Sequence, residues 1–229
     1  MEESRCSCKQ NGCIRLILGP MFSGKTTEMF RLCTRQKLAG KNVTIVKYAG
    51  DVRYDENMAS THDCKKMEAI AAKEIKEVFH DLEEADVIGI DEGQFFPDIV
   101  ECAEQLANLG KIVFIAGLDG DFRREPFPCI ARLLAFAENA YKLTAVCKRC
   151  GQAAPFTHRK IETNQIEVIG GEETYMAVCR DCYRDLNKTR FPNINEANGS
   201  PLMKTSEARI SLSGIENCEP LQKRPRMLA

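Results

Sequence analysis

Gly19-Pro20-Met21-Phe22-Ser23-Gly24-Lys25-Thr26 follows the spacing G-x-x-x-x-G-K-[ST], and a segment of that kind holds a polyphosphate. Successive backbone N–H groups, with the positive end of a following helix, cradle phosphate oxygens. The glycines let the backbone approach where a side chain would block it. In this pattern Lys25 reaches the β- and γ-phosphates of ATP, and the Thr26 hydroxyl ligates Mg²⁺. Such a loop needs an acidic partner at the end of a neighbouring strand, and Val87-Ile88-Gly89-Ile90-Asp91-Glu92 supplies it. Asp91 suits the metal, directly or through water. Glu92, one residue on, is placed to face the attacking group as a general base. The residues alone leave two reactions open: activation of water makes an ATPase, activation of a substrate hydroxyl makes a kinase.

A second chemistry sits further along. Cys147-Lys148-Arg149-Cys150 and Cys179-Arg180-Asp181-Cys182 form C-x₂-C…C-x₂-C, with a longer gap than is common. Each pair can bite one tetrahedral Zn²⁺ from a tight turn, and four thiolates close the site, which makes it structural. A redox pair would open a helix in a thioredoxin-like unit, and none is visible. Of the twelve cysteines, Cys33, Cys64, Cys102 and Cys129 are scattered singly and read as reduced, partly buried thiols of a cytoplasmic protein. Cys6, Cys8 and Cys13 fall near a mobile end.

Stepping outward, residues 14–18 are an apolar run ahead of the loop and read as a buried parallel strand. Residues 25–38 carry apolar positions at helical spacing and stop at Gly40. Further strands are expected at 43–48, 86–90, 111–116 and 142–146, and helices at 69–79, 99–109 and 130–137. Alternating strands and helices predict a P-loop α/β fold, a parallel sheet with helices on both faces. Its core is expected over 14–146, followed by a small zinc-ribbon-like domain over 147–192. A flexible N-terminus (1–13) and an Asn-, Ser- and Pro-rich, disordered tail (193–229) flank them.

The chain has 229 residues and a net charge of −1, which gives no electrostatic reason for nucleic-acid binding. Lys148, Arg149, His158, Arg159 and Lys160 lend the cysteine region some positive charge, and a zinc-ribbon nucleic-acid module is the rival reading from another class. No apolar run is long enough to span a membrane, and the polar N-terminus lacks a secretory signal. Lys223-Arg224-Pro225-Arg226 reads as a solvated cluster in the tail.

The loop, Lys47–Tyr54, Ile90–Pro97, Leu118–Phe122, Val168–Gly171 and the two cysteine pairs together resemble the cytosolic, zinc-containing (type II) thymidine kinases, from about residue 14 to 183. The resemblance implies transfer of the ATP γ-phosphate to the 5′-hydroxyl of thymidine, with Glu92 as catalytic base. It places Asp51, Val52, Arg53 and Gln94 near the phosphates and metal. It puts Met21, Leu118 and Tyr175 against the thymine methyl and Phe95, Phe122 and Phe127 around base and sugar. Ile166, Glu167, Val168, Ile169 and Gly170 become a "lasso" that binds the base edge through its backbone. Ordinary core packing is an equal reading for Phe127. A solvated basic turn is equally open for Arg123 and Arg124, against a role on the transferring phosphoryl group. A lid over 54–62, a homotetramer and feedback by the end-product triphosphate are further implications. The Lys-Glu-Asn degradation signal of some members is replaced here by Ile215-Glu216-Asn217.

Overall fold

The computed structural model describes residues 12–50, 58–60, 66–161 and 170–188. Its strands are β1 (Cys13–Leu18), β2 (Val43–Tyr48), β3 (Met58–Ser60), β4 (Lys66–Glu68), β5 (Ile70–Ala72), β6 (Val87–Asp91), β7 (Ile112–Gly117), β8 (Asn139–Lys142), β9 (Ala145–Val146), β10 (Ala153–Ala154), β11 (Phe156–Arg159) and β12 (Tyr175–Val178). The helices are α1 (Lys25–Leu38), α2 (Phe79–Glu83), α3 (Ile99–Asn108), α4 (Pro128–Leu133) and α5 (Arg180–Leu186).

Six strands make one parallel sheet in the order β5-β2-β6-β7-β1-β8. The central strands β6 and β7 are buried at every position, which is why they are near-continuous apolar runs. On one face, Met29, Phe30 and Cys33 of α1 pack against Ile17, Ile45, Val87 and Phe114. On the other, Ile99, Ala103 and Leu106 of α3 pack against Ile14, Leu16, Ile88 and Ile115. A Cβ on Gly89 would lie 3.0 Å from Cys33 Sγ, so glycine lets α1 settle close on β6. Because the strands are parallel, the ends of β1, β6 and β7 open on the same edge, and ligands of such sheets sit there.

The expected helix over 69–79 is not one helix. Ile70–Ala72 pairs with Val46–Tyr48 as the edge strand β5, and a 3₁₀ turn over Ile75–Val78 leads into α2. The helix-favouring residues there lose to a tertiary contact. The buried Asp98 carboxylate accepts the Ile75 and Lys76 amides at 3.0 and 2.9 Å, and these bonds fix where the turn begins. The expected strand over 142–146 divides. Asn139–Lys142 pairs with β1, whereas Ala145–Val146 pairs antiparallel with Ala153–Ala154. All four residues of β8 are exposed, so the edge strand carries no apolar signal. Cys13, expected near a mobile end, opens β1 and donates its amide to Lys111 O at 3.0 Å. The expected helix over 130–137 is α4, which starts at Pro128 and is shorter.

The cysteine region has its own small core. Ala145, Cys147, Ala154, Ala177, Val178 and Tyr183 pack together, and Phe22 of the phosphate-binding loop lies against them. Among the described residues no helix is long and apolar enough to cross a membrane.

Candidate active site at the phosphate-binding loop

The loop leaves β1 at Leu18 and enters α1 at Lys25. Gly24 caps that helix in the left-handed region, φ 81°, ψ 22°, where a side chain is disfavoured. Ser23 Oγ and Lys25 Nζ donate to Pro20 O at 2.8 and 2.9 Å, and this closes the loop into a cup. From the other side, the Met21 amide donates to Thr157 Oγ1 at 3.0 Å, tying the loop to β11.

The carboxylates stand opposite. Thr26 Oγ1 lies 3.0 and 3.2 Å from the two oxygens of Asp91. Asp91 is 8% exposed, and burial, with the charge of Glu92 beside it, pushes its carboxyl up to about 7. A carboxylate held this way gains most from a cation placed next to it. Glu92 adopts φ 54°, ψ 42°, a left-handed conformation that costs a non-glycine residue about 1–2 kcal/mol. Among the described residues only Phe22, Glu92 and Arg124 share a positive φ without being glycine. They lie in the loop, in the carboxylate pair and beside Phe122. Gln94 Nε2 donates to Glu92 Oε2 at 2.7 Å, and Gln94 Oε1 accepts the Leu118 amide at 2.9 Å.

An aromatic wall continues from there. Phe95 lies 5.2 Å from Tyr48 and 6.4 Å from Phe127, centroid to centroid, and Phe127 also packs against the main core. Phe122 is buried. Tyr183 donates its hydroxyl to Phe122 O at 2.7 Å. The guanidinium of Arg159 is 3.9 Å from the Phe122 centroid, and its Nη2 donates to the Tyr175 hydroxyl at 2.9 Å. Arg124 stacks on Tyr183 and Phe156, 4.6 and 5.4 Å from their centroids. The Arg124 side chain is half-buried and meets two rings of the cysteine region. Arg123 lies 5.1 Å from the Phe122 centroid. Leu118 and Gly170 are half-buried. Asp51, Val52, Arg53, Ile166, Glu167, Val168 and Ile169 lie outside the described residues, as do the expected tail and most of the expected lid.

The four Sγ atoms of Cys147, Cys150, Cys179 and Cys182 all lie within 4.8 Å of one another, and those of Cys150 and Cys179 are 3.5 Å apart. A tetrahedral Zn²⁺ bound at about 2.3 Å per sulfur requires sulfurs about 3.8 Å apart, so the cluster fits. Cys147 is buried. Burial opposes its ionisation, but amides of Cys179, Arg149 and Cys150 donate to it and bring it down to about 6.

Comparison with known proteins decides among these possibilities. The family model described as "Thymidine kinase" matches residues 12–183. The chain is 45% identical over 210 residues to "Thymidine kinase, cytosolic" of Bos taurus, covering 92% of this chain and 82% of that one. The chain belongs to the thymidine kinase family. A "Thymidine kinase" of Vaccinia virus (strain Western Reserve) is 48% identical over 174 residues, 76% of this chain and 98% of that one. The human "Thymidine kinase, cytosolic" is 49% identical over 175 residues, 76% and 74% of the two chains. Among solved structures, a DNA replication initiation factor matches at 15% identity. It covers 59% of this chain and 41% of that one at a TM-score of 0.37, a likeness too slight to bear on function.

In this thymidine kinase family member, the sequence reading missed Thr157 and Tyr183 near the site and saw Arg159 only as a positive charge. Thr157, Arg159 and Tyr183 lie in a polar stretch with no periodic pattern, and each acts through a contact distant in sequence. Their burial is the signal, and it is visible only in three dimensions. His158 and Arg159, counted among the positive charges a nucleic acid would meet, are buried as well.

Proposed function

We propose that this protein transfers the γ-phosphate of ATP to the 5′-hydroxyl of thymidine. The observation that carries this reading is the hydrogen-bonded chain Thr26–Asp91 and Glu92–Gln94–Leu118 at one end of the sheet. Family membership supports thymidine as acceptor. ATP is the donor that a loop of this spacing suits.

The loop from Gly19 through Thr26 binds the phosphates through its backbone N–H groups, apart from Pro20, which has none, and Met21, whose amide is held by Thr157. Lys25, which now spans the cup to Pro20, exchanges that carbonyl for the β- and γ-phosphate oxygens. Thr26 and Asp91 would hold Mg²⁺, which when bound neutralises developing charge on the phosphoryl oxygens. Asp51, Val52 and Arg53 would complete the nucleotide contacts. Glu92, fixed by Gln94, accepts the proton of the 5′-hydroxyl as it attacks in line. Met21, Leu118 and Tyr175 form the wall for the thymine methyl, and Phe95, Phe122 and Phe127 flank base and sugar. Ile166–Gly170 offers backbone groups to the base edge. A buried base edge left without partners costs about 1–3 kcal/mol per group, so a held loop is worth its ordering.

Zn²⁺ on the four cysteines would staple the segment from Cys147 to Cys182, within a domain over 147–192 set beside the core over 14–146. The family resemblance further supports a homotetramer and inhibition by the end-product triphosphate, and the bovine relative's name supports a cytoplasmic location.

The test is to incubate purified protein with γ-labelled ATP and a panel of nucleosides. Label in thymidine monophosphate supports the reading. Label released as free phosphate points instead to an ATPase, and no consumption of ATP overturns both.

A further inference from the structure

Arg159 is the last residue of β11 and stands directly opposite Tyr175 in the antiparallel ladder. Only 1% of it is exposed. Its guanidinium lies 3.9 Å from the Phe122 centroid and 5.2 Å from that of Tyr175, and it donates to the Tyr175 hydroxyl. Arginine keeps its charge at any pH the protein tolerates, and a buried charge is costly without compensating contacts. Here those contacts include Phe122 and Tyr175, two aromatic residues that the family resemblance puts against the nucleoside.

We propose that Arg159 is a positioning residue for the nucleoside, joining Phe122 and Tyr175 into one preformed wall. The proposal rests on the reading that those two rings meet thymidine. A guanidinium over a ring fixes the ring plane, and the attraction is strongest away from water. The hydrogen bond to the Tyr175 hydroxyl sets that ring as well. Tyr183 holds the backbone of Phe122 through its carbonyl at 2.7 Å, so the segment carrying the ring is anchored independently. A wall ordered before binding spares the nucleoside that ordering cost. The effect therefore falls on the KM for thymidine more than on the KM for ATP, because the two rings Arg159 meets belong to the nucleoside wall. Lysine keeps the charge but not the planar fork that faces a ring and a hydroxyl together.

The test compares Arg159→Met, Arg159→Lys and Tyr175→Phe with wild type in steady-state kinetics, with zinc content and near-UV circular dichroism as controls. Arg159→Met is expected to raise the thymidine KM about tenfold or more, with the ATP KM within about twofold. Arg159→Lys recovers part of that loss. Tyr175→Phe, which removes only the hydroxyl, raises the thymidine KM by about threefold. An Arg159→Met protein with native zinc content and an unchanged thymidine KM overturns the proposal. Should Arg159→Met fail to fold, Tyr175→Phe decides, and a wild-type KM there overturns the proposal instead. A wild type that does not phosphorylate thymidine sinks the kinase reading itself, and this one with it. An active wild type beside unaltered variants sinks only the arginine's role.

Discussion

Gln94 clamps Glu92 to the end of β7, giving 2.7 Å from its Nε2 to the carboxylate while its Oε1 takes the Leu118 amide at 2.9 Å. Glu92 sits on left-handed backbone, and the bond from Gln94 helps to set the direction of its carboxylate. Replacing Gln94 with Ala leaves the base present but loose. The expected result is a fall in kcat of about tenfold with the ATP KM little changed. Steady-state kinetics at saturating thymidine would show it, and an unaltered kcat would contradict the clamp.

Glu92→Gln keeps the shape and removes the proton acceptor. Turnover should drop by roughly 10²-fold or more. Magnesium-ATP should still raise the melting temperature as it does in wild type, because the loop and Asp91 are untouched. Near-normal kcat would remove Glu92 from its assigned role.

Asp91 gives a pH signature in the nucleotide-free, metal-free protein. Burial and the neighbouring Glu92 raise its folded carboxyl from 3.8 to about 7. The folded state thus holds a proton that the unfolded chain gives up near 4. Its contribution to stability is complete below about pH 4 and is lost as pH rises through about 7. Asp91→Asn should flatten that decline and stabilise the free protein at pH 8 by about 1–3 kcal/mol. It should also abolish stabilisation by magnesium-ATP. Chemical denaturation at pH 5 and pH 8 checks the first part, and a variant with the same pH slope as wild type would contradict it.

The phosphate-binding loop, β6 with its carboxylates and the cysteine pairs were legible because each is a local pattern whose chemistry demands fixed spacing. The sheet interior was legible for the same reason: strands such as Ile112–Gly117 are apolar throughout and buried throughout. What escaped reading was set by distant partners. Residues 69–79 look helical, yet Ile70–Ala72 is drawn to β2 and Asp98, 22 and 23 positions on from the amides it accepts, starts the next turn. Thr157, Arg159 and Tyr183 show no periodicity, because each serves a contact with the loop or with Phe122. The edge strand β8 is exposed along its length, so no apolar run marks it in the sequence.

Tyr183 follows the last cysteine directly and holds Phe122, so metal content and nucleoside binding should be linked. Stripping zinc with a strong chelator is expected to raise the thymidine KM several-fold before activity is lost, and re-adding zinc should restore it. Tyr183→Phe, with zinc retained, should reproduce part of the rise by removing one hydrogen bond, worth about 0.5–1.5 kcal/mol. A thymidine KM indifferent to both treatments would show that the staple does not reach Phe122.

The destination of the phosphoryl group separates a kinase from an ATPase. Phosphorus NMR of a reaction containing the zinc-replete protein, magnesium, ATP and thymidine observes this directly. A monophosphate ester signal split by the 5′-methylene protons of thymidine should grow in step with ADP, one for one. Growth of inorganic phosphate in place of that ester, or ATP left intact beside a folded protein, would contradict it.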